Sequence, residues 1–213
     1  IHYNVEKNES TILVDKIKKM GVDGAAFQAD LTKESSKSII PSFISHFGGL
    51  DVLINNAGAA IGPKDILDMD EDSWDKTFWL NTRAPFFLAQ NAFKHMKENG
   101  GGKIINISSI SVKYGGPSQT LHYGAAKSAL ETITLGLSKA GAMHNILVNT
   151  VRGGYIDTPM HQKMGRKNPK ERIEMIPLKR AGKPQDMAGM VLFLPSEAGN
   201  FITGETFTVA GGD

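Results

Sequence analysis

The chain has 213 residues, 40% of them hydrophobic and 22% charged, with a net charge of +2 and no cysteine. It is long enough to bury a sizeable core; it excludes disulfides and thiolate metal sites, and so small a net charge argues against a nucleic-acid partner. No apolar run approaches the roughly 20 residues of a membrane span, no secretory leader is visible, and the absence of cysteine fits a cytoplasmic protein.

In chain order, residues 1–4 look like the end of a strand. Residues 6–20 carry Ile12, Leu13, Ile17 and Met20 at helical spacing and stop at Gly21. A short strand over 25–29 leads to Asp30 and Leu31, and Thr32 can cap a helix reaching Phe47, which Pro41 should kink or break. Strand 50–54, a helix over about 72–98 bent by Pro85, strand 103–107 and a long helix over 121–142 follow. The last elements are strand 146–150, a helix over 184–194 opened by Pro184, and strand 205–209. Strands alternating with helices predict a doubly wound parallel α/β sheet, with no repeat or linker to divide the chain.

Three strings carry chemistry. Tyr123 and Lys127, four residues apart on the predicted long helix, lie one turn apart on one face. A phenol titrates near pH 10, and a neighbouring cation stabilises its anion and lowers that value. The pair can therefore give a proton to a carbonyl oxygen or take one from an alcohol. The apolar strand before it ends in Ser108 and Ser109, and the run from Leu50 stops at Asn55-Asn56-Ala57-Gly58. In open α/β sheets ligands bind beyond the carboxyl ends of the strands, which is where these residues fall. Asn81 is a polar residue inside an apolar helical stretch. The six histidines show no metal-ligand spacing and read as structural, so no metal is expected.

Together these strings resemble the short-chain dehydrogenase/reductase family, over essentially the whole chain and in order. The matching residues are Asn55 to Gly58, Asn81, Ser109, Tyr123 with Lys127, Val148-Asn149-Thr150-Val151, Gly154-Tyr155-Ile156-Asp157-Thr158, Ile202-Thr203-Gly204-Glu205, and Val209-Ala210-Gly211-Gly212. Within the family it resembles the 3-oxoacyl carrier-protein reductase-like members. The resemblance implies a Rossmann-like single domain over 1–213 with a substrate lid at about 159–176. It implies an NAD(P)-dependent oxidoreductase acting on a secondary alcohol or its carbonyl. Tyr123 would be the acid or base. Lys127 would tune Tyr123 and hold the nicotinamide ribose, Ser109 (with Ser108 as the alternative) would bind the substrate oxygen, and Asn81 would position a water. On the cofactor side, Asp30 and Leu31 would flank adenine, Asn56, Ala57 and Gly58 the adjoining ribose, and Ile156 and Thr158 the carboxamide.

There are departures from the family pattern. The glycine-rich phosphate loop is absent, and one strand-helix unit of roughly 25–35 residues is expected to precede Ile1. Gly153-Gly154 stands where Pro-Gly is usual, which leaves the rigidity of that loop open, and Ala210 replaces the usual Asp. The residue ending the second strand would read the adenosine ribose; Tyr3 stands there instead of an acid, with His2, Asn4 and Lys7 nearby, so NADP(H) is favoured over NAD(H). The basic run Lys163, Arg166, Lys167, Lys170 and Arg172 could draw an anionic substrate such as a carrier-bound acyl thioester. Family members are usually dimers or tetramers, and Phe86 and Phe87 suit a homo-oligomeric interface between the helices at about 75–98 and 121–142. The competing readings are a catalytically silent NAD(P)-binding regulator, a nucleotide-sugar epimerase, and an oligomerisation module. The epimerase would need a larger C-terminal domain than the residues after Lys127 provide. The module would need no polar residues converging on one sheet edge.

Overall fold

A computed structural model describes residues 1–62, 65–116, 120–159 and 169–213. The first elements are β1 (His2–Tyr3), α1 (Lys7–Lys19), β2 (Phe27–Gln28), α2 (Ile39–Phe47) and β3 (Val52–Asn55). Helices α3 (Glu71–Phe78) and α4 (Ala84–Glu98) precede β4 (Gly102–Ser109), and the short α5 (Ser111–Tyr114) leads to α6 (Leu121–Gly141). The remainder comprises β5 (Ile146–Gly153), α7 (Pro169–Met175), α8 (Pro184–Phe193) and β6 (Thr206–Val209). Strands β3, β4, β5 and β6 form one sheet in that order, every pair parallel, and β1 pairs in parallel with β2 in a second, two-stranded sheet.

The doubly wound α/β architecture follows from side-chain alternation along the strands. On β4, Ile104 and Ile105 are both fully buried yet point to opposite faces. Ile104 joins Leu88, Ala89, Ala92 and Met96 of α4 and Ile40 of α2, whereas Ile105 packs with Val151, Leu194 and the α8 side chains Met187, Met190 and Val191. Near-continuous Val and Ile on β4 and β5 is what a sheet covered on both sides requires. At β3 the cover is thinner: Leu53 packs into the α4 side, while Val52 and Ile54 on the other face are 36% and 43% exposed. No strand pair joins β3 to the β1–β2 sheet.

Two helices differ from the sequence expectation, each for a reason involving proline. The segment after Asp30 is a 3-10 turn over Glu34–Ser38 and then α2, not one helix from Thr32. A proline in a helix interior clashes with the carbonyl four residues back. Restarting the helix at Ile39 puts Pro41 in its first turn, where no N–H is needed. Thr32 caps nothing: its N–H and hydroxyl both donate to Asp30 Oδ1, at 2.9 and 2.7 Å. The expected helix over 72–98 is α3 and α4 joined by a π-turn, Trp79–Arg83, in which the Ala84 N–H reaches back to the Trp79 carbonyl. Pro85 supplies no N–H to the regular ladder, and the wider turn places Asn81 inward at 0% exposure.

The strands flanking the site run longer than expected. Strand β4 continues to Ser109 and β5 to Gly153, with Ser109 paired to Gly153 in register. Among the described residues no helix is long and apolar enough to cross a membrane, and no cluster of side chains suits a metal ion. Lid residues 160–168, and with them His161, Lys163, Arg166 and Lys167, lie outside the described residues.

Candidate active site

Beyond the carboxyl ends of β3, β4 and β5 lies a cleft of about 530 Å³. Asn56, Gly58, Ser108, Ser109, Tyr123, Lys127, Ile156 and Thr158 all line it, so eight residues singled out from widely separated strings share one space. Its remaining walls are largely apolar, with Ile107, Ile110, Met187 and Val191 among them. Met187 and Val191 are a helical i,i+4 pair on α8, a spacing that could have marked this wall in advance.

Lys127 is the most unusual group. It is 2% exposed, and burial lowers its pKa from 10.5 to about 8. Its ammonium donates to the Ile107 carbonyl at 2.8 Å and stands 5.7 Å from the centre of the Tyr123 ring. No carboxylate pairs with it among the described residues. Its uncompensated burial is the arrangement expected of a functional lysine.

Gly58 completes this corner. A Cβ there would stand 2.6 Å from Asn81 Oδ1 and 3.0 Å from Lys127 Nζ, so only glycine lets the loop after β3 pass these two groups. The Asn81 amide nitrogen donates to the carbonyls of Ala59 at 2.7 Å and Thr77 at 2.8 Å, which leaves Oδ1 as a buried acceptor without a partner. An ammonium with hydrogens to give, beside an amide oxygen able to accept, suits the hydroxyls of a ribose and a bridging water. The residues present therefore fit a nicotinamide nucleotide at this position.

The two serines are bound differently. Ser108 Oγ donates to Glu131 Oε1 at 2.6 Å, and Glu131 is held by Arg152 through Nε at 3.0 Å and Nη2 at 2.6 Å. Ser109 Oγ meets only its local neighbour, donating to Ser111 Oγ at 3.2 Å and accepting from the Ser111 N–H at 3.2 Å. Its hydroxyl is the more easily turned towards a ligand. Sequence reasoning missed the Glu131–Arg152 pair, although Glu131 follows Lys127 by one helical turn on the same face.

Several matched motifs hold the sheet together. Asn55 Nδ2 donates to Asn106 Oδ1 at 2.9 Å, Asn106 Nδ2 to Thr134 Oγ1 at 2.9 Å, and Thr150 Oγ1 also to Thr134 Oγ1 at 3.0 Å. This buried chain ties β3, β4, β5 and α6 in register beneath the cleft. Asn149 braces the loop before β6 through the Ile202 carbonyl at 2.8 Å and the Glu205 N–H at 3.0 Å. The Gly153-Gly154 departure leaves the loop pinned: Ile110 N–H donates to the Gly153 carbonyl and Gly154 N–H to that of Val209, at 2.8 and 2.9 Å. Gly154 is needed there because its Cβ would lie 2.7 Å from Ala210.

Asp30, Leu31, Ala57 and Asn81 do not line the cleft. Asn81 borders it behind Gly58, and Ala57 and Leu31 pack into the α4 side of the core. Asp30 is engaged by Thr32, whose hydrogen bonds, with Lys33 nearby, hold its carboxyl below the usual range. His2, expected near the adenosine, has Nε2 against the Ala29 carbonyl at 2.8 Å.

The chain is similar to known proteins along nearly its whole length. A family model described as enoyl-(acyl carrier protein) reductase matches residues 2–213. The chain is 34% identical over 215 residues to the 3-oxoacyl-(acyl-carrier-protein) reductase FabG of Staphylococcus epidermidis, covering 100% of this chain and 86% of that protein. It is 34% identical over 208 residues to the 2-dehydro-3-deoxy-D-gluconate 5-dehydrogenase of Escherichia coli, covering 96% and 81%. Among solved structures, a blue fluorescent protein from a metagenomic library, in complex with NADPH, superposes with a TM-score of 0.91 at 34% identity, covering 99% of this chain and 85% of that one.

Proposed function

Since the chain belongs to the short-chain dehydrogenase/reductase family, and is an NAD(P)-dependent oxidoreductase interconverting carbonyls and alcohols, we propose that Tyr123 is its general acid and base, assisted by Lys127, Ser109 and Asn81. One observation carries this assignment: the phenol, the buried ammonium and the strand-end hydroxyl share a single cleft. A silent cofactor-binding regulator would not need all four side chains.

The nicotinamide, when bound, supplies or accepts the hydride. Everything else falls to the chain's own residues. Ser109 Oγ donates to the substrate oxygen, orienting it and stabilising the negative charge that grows there during reduction. Tyr123 delivers the proton to that oxygen and, in oxidation, removes it. Lys127 steadies the phenolate and binds ribose hydroxyls, and Asn81 Oδ1 holds a water through which the proton is replaced. In this reading Asn56 and Gly58 bound the cofactor on the β3 side and Ile156 and Thr158 on the β5 side, and Asp30, Leu31 and Ala57, which do not line the cleft, are assigned to the adenosine.

The preferred cofactor in this reading is NADP(H), supported by Tyr3 and Asn4 at the end of β1 in place of an acid; His2 adds less, because one ring nitrogen is committed to Ala29. The substrate in this reading is a carbonyl compound, with a carrier-bound acyl thioester as one candidate; residues 160–168 of the lid expected at about 159–176 lie outside the described residues. The protein assembles as a homo-dimer or homo-tetramer in the cytoplasm. In support of the assembly, Phe86 and Phe87 line a shallow groove between α3, α4 and α6, with Arg83 stacked 3.9 Å from the Trp79 ring centre.

Oxidation of NADPH and of NADH by a panel of ketones, sugars and acyl thioesters tests the proposal. Turnover dependent on Tyr123, faster with NADPH, is expected. Turnover that survives Tyr123→Phe would remove the assignment.

A further inference from the structure

Of the two members of the basic run that are described, Lys170 and Arg172, it is Arg172 that lines the cleft. It sits on α7 and lines the same space as Ser109, Tyr123 and Lys127. One arm of its guanidinium, Nη2, pairs with Asp213 Oδ2, while the other, Nη1, is buried and has no hydrogen-bond partner. Asp213 is well placed to hold that arm still. Its own side chain is 7% exposed, its backbone oxygen accepts from Lys113 Nζ at 3.0 Å, and its Oδ1 accepts from the Tyr114 hydroxyl at 3.2 Å. Tyr114, on α5, is itself part of the cleft wall. Asp213 thus fastens two walls of the cleft, α5 and α7, and orients Arg172 between them.

A buried guanidinium nitrogen with hydrogens and no acceptor is costly unless something supplies the acceptor. Among the described residues the cleft wall contains no aspartate or glutamate, and its cations are Lys127 and Arg172; the nearby Asp213 carboxylate is turned to Nη2. An arginine arm in a largely apolar wall recognises an oxygen that only accepts, and best of all an ionised one.

We propose that Arg172 is a specificity-determining residue that binds a carboxylate on the substrate, making this enzyme a reductase of oxo acids, or a dehydrogenase of the corresponding hydroxy acids. Asp213 is the positioning residue that aims it. The inference rests on the oxidoreductase reading above and names the substrate class for that site.

The test compares oxo acids of three to six carbons with their methyl esters, which match them in shape and lack the charge, and with acetoacetyl N-acetylcysteamine as a carrier-thioester mimic. With wild-type protein at least one acid should exceed its ester about tenfold in kcat/KM, the span expected of one charge-assisted contact. Arg172→Gln should erase that preference by raising KM for the acid, leaving the ester and kcat nearly unchanged. Arg172→Lys should restore part of it, and Asp213→Asn should raise KM for the acid by a smaller factor. Calorimetric titration of acids and esters into protein loaded with oxidised cofactor gives the same comparison without turnover, and melting curves confirm that the variants fold. Turnover of esters or of the thioester mimic with no preference for any acid would overturn the proposal while leaving the oxidoreductase reading intact. Equal loss on acid and ester in Arg172→Gln would overturn it as well. If no ketone of any kind is reduced, the oxidoreductase reading falls, and equal calorimetric affinities for acid and ester would dispose of the Arg172 inference separately.

Discussion

The β3–β6 sheet and the β1–β2 sheet are built from the same kind of alternating sequence but hold their side chains with very different firmness. In the first, β4 and β5 each run eight residues in continuous register. A 21-residue helix, α6, lies against both, and the buried chain through Asn55, Asn106, Thr134 and Thr150 crosses between them. In the second, each strand is two residues long. Its added ties are single side-chain bonds, His2 to Ala29 and Gln28 to Asn4. In the reading proposed above, Tyr123 and Lys127 stand on α6 against the first sheet and Ser109 at the end of β4, while Tyr3, Asn4, Asp30 and Leu31, assigned to the adenosine, lie at or just beyond the strand ends of the second. That reading puts the chemistry, which needs sub-ångström placement, on the long elements and the choice of cofactor on a short edge.

The largest effect that would break this contrast is at Tyr123. Tyr123→Phe should lower kcat by about 10²–10⁴-fold while cofactor binding, followed by fluorescence titration, stays near wild type. A loss confined to cofactor affinity would mean that the firm half of the molecule serves binding instead of chemistry.

Lys127 should show that this firmness has a thermodynamic cost. Folded, the ammonium releases its proton near pH 8, against 10.5 as the ordinary value. Between those values the unfolded chain binds more protons than the folded one, so stability rises with pH across the window. Below pH 8 the full penalty for burying the charge is present. Lys127→Met should therefore stabilise the cofactor-free protein at pH 7, by at most about 3 kcal/mol, while abolishing turnover. The gain should fade as pH rises from 8 to 10.5, which thermal unfolding at several pH values would read.

The serines sharpen the comparison within a single strand end. Ser109→Ala should cost about 10²-fold in kcat, as loss of one oxyanion donor does. Ser108→Ala should leave kcat close to wild type and lower stability by no more than about 1.5 kcal/mol, because its hydroxyl serves Glu131. Steady-state kinetics of the two variants side by side would decide, and the reverse ranking would transfer the role to Ser108.

The two sheets can be compared directly, and the smallest expected effect lies in the second. Thr134→Val leaves two buried donors, Asn106 Nδ2 and the Thr150 hydroxyl, without their acceptor, and should cost about 2 kcal/mol or more in denaturant unfolding. His2→Ala should cost under about 1 kcal/mol. Equal losses would mean that the two sheets are equally braced.

The sequence by itself determined the alternation of strands and helices, the family, and eight of the residues that line the cleft. Strand-end position, residue chemistry and helical spacing are local properties, readable wherever Tyr123, Lys127, Ser109 or Asn56 stands in the chain. It was wrong or silent where the outcome depends on groups far apart in sequence. Pro85 announced a bend, but the π-turn that drives Asn81 inward answers to what packs around it. Thr32 is a candidate helix cap by position, but its N–H and hydroxyl are taken up by Asp30. The Glu131–Arg152 pair joins a helix to a strand, and Asp213 meets Lys113, Tyr114 and Arg172 across the molecule. Such pairings exist only after the chain has closed on itself, because electrostatic and hydrogen-bond partners are chosen by distance in space, and no periodicity in the sequence encodes that distance.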